Sequence, residues 1–252
     1  MAKSYGADIS VVYNTLKDLT NKDQQGFISP TEFNRFATIA QLNIFNGLFD
    51  ELKDAQRLSR SGSNPSRDKS RAKRILEDLA SFSTKKQLSK DTGSDFFSFS
   101  SANPAADPMA RLISISTAGS VVLDQSTKRP IEICYDEEKL ERILVNNLSA
   151  PTEEFPIALV SEDIYVFPTS INLIEVRYYK YPLGRVSSTG ARTSSPPTYT
   201  EGGTSVDFEL PEHYVSKLVY EIAKLAGINL RDVEVVNYSN LESQAIKQAE
   251  KQ

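Results

Sequence analysis

Apolar residues recur every three or four positions through the start of the chain, alternate through its middle, and return to helical spacing near its end. Ile9, Val12, Tyr13, Leu16 and Leu19 form the first stripe; Phe33, Phe36, Ala37, Ala40, Ile44, Leu48 and Leu52 form a longer second one. Such spacing turns one face of a helix toward a core. The second helix is expected to run on through residues 53–58 and to end near the polar break Ser59-Arg60-Ser61-Gly62. A third is expected after Pro65, with Ala72, Ile75, Leu76, Leu79 and Phe82 inward and Arg67, Lys69, Arg71, Lys73 and Arg74 outward. The first two helices, joined by a short link, are expected to lie antiparallel.

The period then changes. Residues 83–108 are polar and irregular, with Phe96, Phe97 and Phe99 in a Ser-rich setting. Beyond them, residues 111–116, 120–123, 131–135, 155–160, 163–167 and 171–181 read as strands, the last being the richest in β-branched and aromatic side chains. Glu162-Asp163 is expected to form a tight hairpin turn between two of them. Residues 136–146 interrupt the strands as a helix with Leu140, Ile143 and Leu144 inward; Asp136, Glu137 and Glu138 open it, where negative charge complements the helix dipole. A second irregular stretch, 182–205, carries Tyr199. Two such stretches with aromatics read either as segments that order on neighbouring subunits or as plain surface loops. Pro211 opens a further helix with Tyr214, Leu218, Ile222 and Leu225 along one face, ending at Gly227; a last helix from Leu230 carries Leu241 and Ile246. The expected fold is α+β: a helical region at 1–92 built on a hairpin, a mostly antiparallel β-rich region at 93–205 with one helix, and a helical region at 206–252.

The link between the first two helices admits two readings. Asn21, Asp23, Gln25, the Phe27 carbonyl, Ser29 and Glu32 fall at the ligand positions of an EF-hand loop, with Gly26 and Ile28 at its turn and its apolar pin. Only Asp23 and Glu32 are acidic, so such a site would hold Ca²⁺ weakly, and no second loop of this kind occurs. The simpler reading makes Gly26 a C-cap and Ser29 the next N-cap, with Pro30 at the first helical position and Glu32 closing a capping box. The metal expectation is therefore none, with Asn21, Asp23, Gln25 and Glu32 as the calcium alternative.

Composition narrows the chemistry further. The chain has 252 residues, 39% hydrophobic and 25% charged, as core-forming domains do. No apolar run approaches the roughly 20 residues of a membrane span, and the first residues lack the apolar core of a signal peptide. One cysteine, Cys134, excludes an intrachain disulfide and a multi-cysteine zinc site; one histidine, His213, leaves little room for imidazole chemistry. Cys134 reads as a small buried hydrophobe and His213 as a surface or contact residue. Paired carboxylates such as Glu137-Glu138 and Glu153-Glu154 converge with nothing that would make them catalytic, and no Gly-x-x-x-x-Gly-Lys occurs. No enzyme and no cofactor are expected. Between residues 53 and 90, eleven Lys or Arg stand against four Asp or Glu; with net charge −4 overall, this excess of seven leaves −11 on the remainder. That polarity suits an acidic protein surface or nucleic acid, and equally a solvated helix face; without interleaved aromatics it does not suit sequence-specific reading.

The link residues, continued by Phe33-Asn34-Arg35 and Ala40-Gln41-Leu42-Asn43-Ile44-Phe45, resemble a recurring opening of tailed-phage virion proteins, among them those of crAss-like phages. Leu210-Pro211-Glu212-His213-Tyr214, Leu218, Ile222 and residues 225–231 are similar to the closing helix of the same proteins. The resemblance covers about the first 50 and last 45 residues. It implies a head-to-tail connector, a neck ring between portal and tail, commonly twelvefold, located in the virion and assembled in the host cytoplasm. The implied partners are further copies of itself, the portal and other neck or tail proteins, with phage DNA in the channel contacted without sequence preference, and no membrane. It supplies no catalytic residues. Arg67, Lys69, Arg71, Lys73 and Arg74 become candidate contacts to a partner or to channel DNA. A tail-hub or terminator subunit, a calcium-dependent interaction module and an enzyme with an unrecognised carboxylate site are the alternatives.

Overall fold

The computed structural model describes residues 6–22, 28–61, 65–90, 93–98, 108–118, 128–146, 149–187 and 189–229. The fold is α+β, and the chain divides into two compact units: residues 82–181, and the segments on either side of them. The regions read from the sequence follow secondary-structure content, whereas the units follow packing. A β-rich unit is thus inserted into a mainly helical one.

The helical unit begins with α1 (Ile9–Lys22), α2 (Pro30–Ser61) and α3 (Pro65–Ala80). Asp8 caps α1, its carboxylate accepting from Ser10 N at 2.7 Å. The close helical hairpin is α2–α3, whose connection is only three residues long, while α1 lies on α5 (Val215–Asn229) and on β9 (Val206–Phe208). Ile9, Val12, Tyr13, Leu16, Phe33, Ala37, Ala40, Ile44, Leu48, Ile75 and Leu79 are buried as their spacing requires, and Phe45 and Phe49 join them. Leu19 and Leu76, expected inward, are exposed, because each sits at the margin of its apolar arc. A short pair, β8 (Gly184–Val186) with β9, completes the unit, and a 3-10 turn, Glu212–Tyr214, leads into α5. α5 does not stop at Gly227 but continues through it to Asn229, so the glycine is a tolerated interior residue rather than a cap. The helix expected from Leu230, with Leu241 and Ile246, lies outside the described residues.

In the inserted unit seven strands form one sheet in the order β1 (Ser83–Ser89), β7 (Leu173–Lys180), β3 (Met109–Thr117), β4 (Pro130–Cys134), β5 (Ile157–Val160), β6 (Ile164–Phe167), β2 (Phe96–Phe97). All neighbours are antiparallel except β4 and β5, which are joined by the crossover helix α4 (Glu137–Val145). Leu88, Phe97, Ile115, Ile131, Ala158, Ile164, Val166, Ile174, Val176 and Tyr178 make one buried cluster. These side chains come from every strand, both edges included, so one face of the sheet carries a continuous apolar layer. Cys134, Leu140 and Ile157 form the smaller cluster under α4; Leu144, expected there, is exposed instead. The strand expected at 120–123 lies outside the described residues, and the hairpin at Glu162-Asp163 joins β5 to β6, with Ser161 N donating to Asp163 O at 3.0 Å.

Among the described residues, both aromatic stretches contain backbone that pairs with the chain's own strands, while Phe99 lies outside the described residues. Phe96 and Phe97 pair with Tyr165 and Ile164 as an edge strand, and Phe97 is fully buried. Within 182–205 the backbone folds back on β8: Gly184 N donates to Ser195 O at 2.8 Å, Thr193 N to Gly184 O at 2.9 Å and Val186 N to Ala191 O at 2.8 Å. That stretch orders on its own chain.

Candidate functional site

The helical unit is fastened by polar side chains reaching across long sequence separations. Gln41 sits on the inner face of α2, buried, where its amide donates to Leu183 O at 3.0 Å and accepts from Glu209 N at 2.9 Å. Asn34, two turns earlier, does the same to Tyr199, donating to its carbonyl at 3.1 Å and accepting from its N–H at 2.8 Å. Asn34 thereby satisfies both backbone groups of Tyr199, and Gln41 bridges the Leu183 carbonyl and the Glu209 N–H. Tyr199 then stacks on Tyr13 at 4.1 Å, with Phe33 edge-on to Tyr13 at 5.0 Å. Asn43 donates to Glu221 of α5 at 3.3 Å, and Lys217 of α5 pairs with Glu51 of α2 at 3.1 Å.

At the centre lies Glu209. Its side chain is fully buried; one oxygen accepts from Leu183 N at 2.9 Å, and Arg192 Nε lies 2.9 and 3.0 Å from the two oxygens. Arg185 approaches at 3.6 Å. Asp207, two residues earlier, accepts from Ile9 N at 3.2 Å and so holds the start of α1. Burial pushes the Asp207 carboxyl above its usual range, opposed by the bonds from Ile9 N–H and the Ser187 side chain. These carboxylates are clamped by backbone and guanidinium groups of their own unit. The arrangement is one that locks a strand pair onto helices.

The link before α2 is settled at its second half. Ser29 N and Oγ donate to Glu32 Oε2 at 3.2 and 2.8 Å, and Glu32 N donates back to Ser29 Oγ at 3.3 Å. This reciprocal pair is the expected capping box. The Ser29 hydroxyl and N–H together hold the Glu32 carboxyl below its usual range. Of the calcium alternative, Glu32 is thus engaged as a cap, whereas Asp23, Gln25 and the Asn21 side chain lie outside the described residues, as does the expected C-cap Gly26. Among the described residues no three His, Cys, Asp or Glu side chains gather as a metal site needs, and no helix is long and apolar enough to cross a membrane.

The basic face is real as a surface. Lys69, Lys73 and Arg74 are exposed on α3 and Arg71 is half-buried; the Arg67 side chain lies outside the description. Lys73 reaches Glu77 one turn on at 3.8 Å, while Lys69, Arg71 and Arg74 make no salt bridge among the described residues. α3 is held at its other end by Asp78, which accepts from Tyr214 Oη at 2.7 Å and lies 3.4 Å from His213 Nε2. His213 is therefore an exposed residue with an intramolecular partner. Cys134 is buried, its thiol donating to Asp136 O at 3.1 Å. Sequence reasoning missed Glu209, Asp207, Arg185 and Arg192; the available signal was the two charges, Asp207 and Glu209, alternating with the apolar residues of Val206–Leu210. It also missed the outer face of α4.

Comparison of the chain with protein-family models and with curated proteins finds no match.

Proposed function

We propose that this chain is a structural virion protein: a subunit of an oligomeric ring in the portal–tail connector of a tailed phage, assembled in the host cytoplasm and carried in the neck of the particle. Its partners would be copies of itself, the portal and adjoining neck or tail proteins. It would carry out no catalysis.

One observation carries the proposal. The opening and closing segments that bear the resemblance belong to a single compact unit, although the β-rich unit lies between them in sequence. Their polar residues moreover help to build it: Asn34, Gln41 and Asn43 make long-range side-chain bonds within it, and His213 and Tyr214 anchor α3 through Asp78. A resemblance scattered over unrelated parts of a fold would mean little; one concentrated on the residues that fasten a single unit is coherent. The exposed cations of α3 fit a subunit that meets an acidic surface.

The test is the mass of the full chain, alone and mixed with the portal ring of the same phage, by mass photometry. A discrete multi-subunit species in either sample supports the proposal. A monomer in both overturns it.

A further inference from the structure

We infer that α3 of one copy of this chain docks on α4 of the next, lysines to glutamates and leucine to the apolar end of the facing helix. The inference rests on the ring reading and names its subunit contact.

Among the described residues the most exposed large apolar side chains are Tyr135, Val145 and Phe155, at 70, 84 and 77%. All three belong to the β4–α4–β5 crossover. Tyr135 stands where β4 passes into α4; Val145 and Phe155 stand where the helix hands the chain back to β5. Along α4, Glu137, Glu138, Glu141, Leu144 and Val145 follow three- and four-residue spacing, so they share one arc turned away from buried Leu140. All five are exposed. The arc is acidic in its first turns and apolar in its last.

α3 carries the complement. Lys69, Lys73 and Leu76 share an exposed arc by the same spacing, with exposed Glu77 beside Lys73, Arg74 further round, and Ile75 and Leu79 buried behind. Lys69 to Leu76 and Glu137 to Leu144 span the same seven positions, about 10 Å along a helix axis. Laid side by side in the same direction, the two helices set Glu137, Glu138 and Glu141 against Lys69 and Lys73, and Leu144 and Val145 over Leu76, with Arg74 outside the seam adding only longer-range attraction. The opposite direction would place glutamates on Leu76, so charge selects the parallel arrangement. The local pairs on each helix, Lys73 with Glu77 and Glu138 with Arg142, are exposed, and pairs of that kind contribute little and exchange readily. Because the two faces differ, the contact is heterologous; repeated from subunit to subunit it builds a ring where its rotation closes, and a lone chain leaves both faces open.

The full chain is weighed by mass photometry and sedimentation velocity, alone and with the portal ring. Reversing one face (Glu137→Lys, Glu138→Lys and Glu141→Lys) or the other (Lys69→Glu, Lys73→Glu and Arg74→Glu) sets like charges together and is expected to weaken association by roughly a hundredfold or more. The chain carrying all six changes is expected to assemble again. All six positions are exposed, so each variant should fold, with the α4 reversal melting slightly lower because Glu137 and Glu138 stand in the first turn of that helix. If the wild type assembles and either one-face reversal leaves the assembly intact, the contact is overturned while the ring reading stands. A folded sixfold variant that stays dissociated overturns it too. A wild type that is monomeric with and without the portal removes both. If reversal on α3 leaves the mass unchanged but abolishes salt-dependent retention of duplex DNA, α3 faces nucleic acid and the inference fails. Should the sixfold variant not fold, Leu76→Cys with Val145→Cys in a Cys134→Ser chain gives a second measurement. Mild oxidation is expected to yield a ladder of cross-linked copies, and its absence overturns the contact.

Discussion

Removing the Glu209 carboxylate should loosen the helical unit more than any other single truncation of a charged side chain. In Glu209→Ala, Arg192 and Arg185 lose their shared counter-charge and Leu183 N–H loses its acceptor. Breaking a buried pair by deleting one partner costs about 3–5 kcal/mol. Arg192 and Arg185 keep 13 and 26% side-chain exposure while Glu209 keeps none, so water can take over part of the arginines' solvation. The lower end, about 3 kcal/mol, is therefore the expected loss. With a urea dependence of about 2 kcal/mol per molar, the unfolding midpoint should fall by about 1.5 M. Hydrogen exchange read by mass spectrometry locates the effect: α1, α2 and residues 182–210 should lose protection, and strands β3 to β7 should keep theirs. Glu209→Gln, which keeps the shape and one acceptor, should cost less. A midpoint shift below about 0.5 M for Glu209→Ala would refute the reasoning, because it would mean that the arginines are held without the carboxylate.

The other predictions concern smaller fastenings. Gly6→Ala would place a methyl group 1.7 Å from Phe208 O, so the segment leading into α1 must move; a loss of about 1–3 kcal/mol is expected from thermal melting, and an unchanged melting temperature would mean the segment is not seated there. Asn34→Ala removes both bonds to Tyr199 and should cost about 1–2 kcal/mol while speeding proteolysis within residues 187–205; an unaltered cleavage rate counts against the clamp. Glu32 has a depressed pKa when folded, so its contribution is present above the unfolded value and disappears as pH falls through the folded one. The stability difference between wild type and Glu32→Gln should accordingly shrink below about pH 4, and a difference that grew on acidification would reverse the sign of the argument. Because the same carboxylate is spent on Ser29, millimolar Ca²⁺ should give no calorimetric heat; a saturable heat would return the link to a cation site.

The legible parts of the fold were those whose period is carried by many residues. β3 to β7 and the buried arcs of α1, α2 and α3 repeat their pattern over two or more turns or pleats, which defines a face without any partner. β1 could not be read that way. Ser-Thr-Lys-Lys-Gln-Leu-Ser offers one apolar residue, Leu88, and becomes a strand because β7 presents a free edge; its lysines suit that exposed edge position. β8 and β9, three residues each, are too short for any period. Leu19, Leu76 and Leu144 show the limit of the helical rule: spacing gives the direction of an apolar arc, but its width depends on what packs there. The Glu209 lock was hidden for a different reason. Its carboxylate meets Leu183 N, Arg185 and Arg192, which lie on a stretch with no readable period; the charges inside the apolar run Val206–Leu210 hint at burial but do not say which cations they meet.

The pairing of β1 with β7 reaches beyond the sheet. Ser83 opposes Tyr179 and Lys180 N donates to Phe82 O at 3.0 Å, so the chain enters and leaves the β-rich unit through two strands roughly 5 Å apart. The helical unit is therefore interrupted at two chain positions that lie side by side. Such a doorway makes the β-rich unit a cassette: it could be removed and the gap sealed with a short turn, or another domain with adjacent termini spliced in, without redesigning Glu209, Gln41 or Asn34. Lineages that kept the frame would then be free to exchange the cassette wholesale.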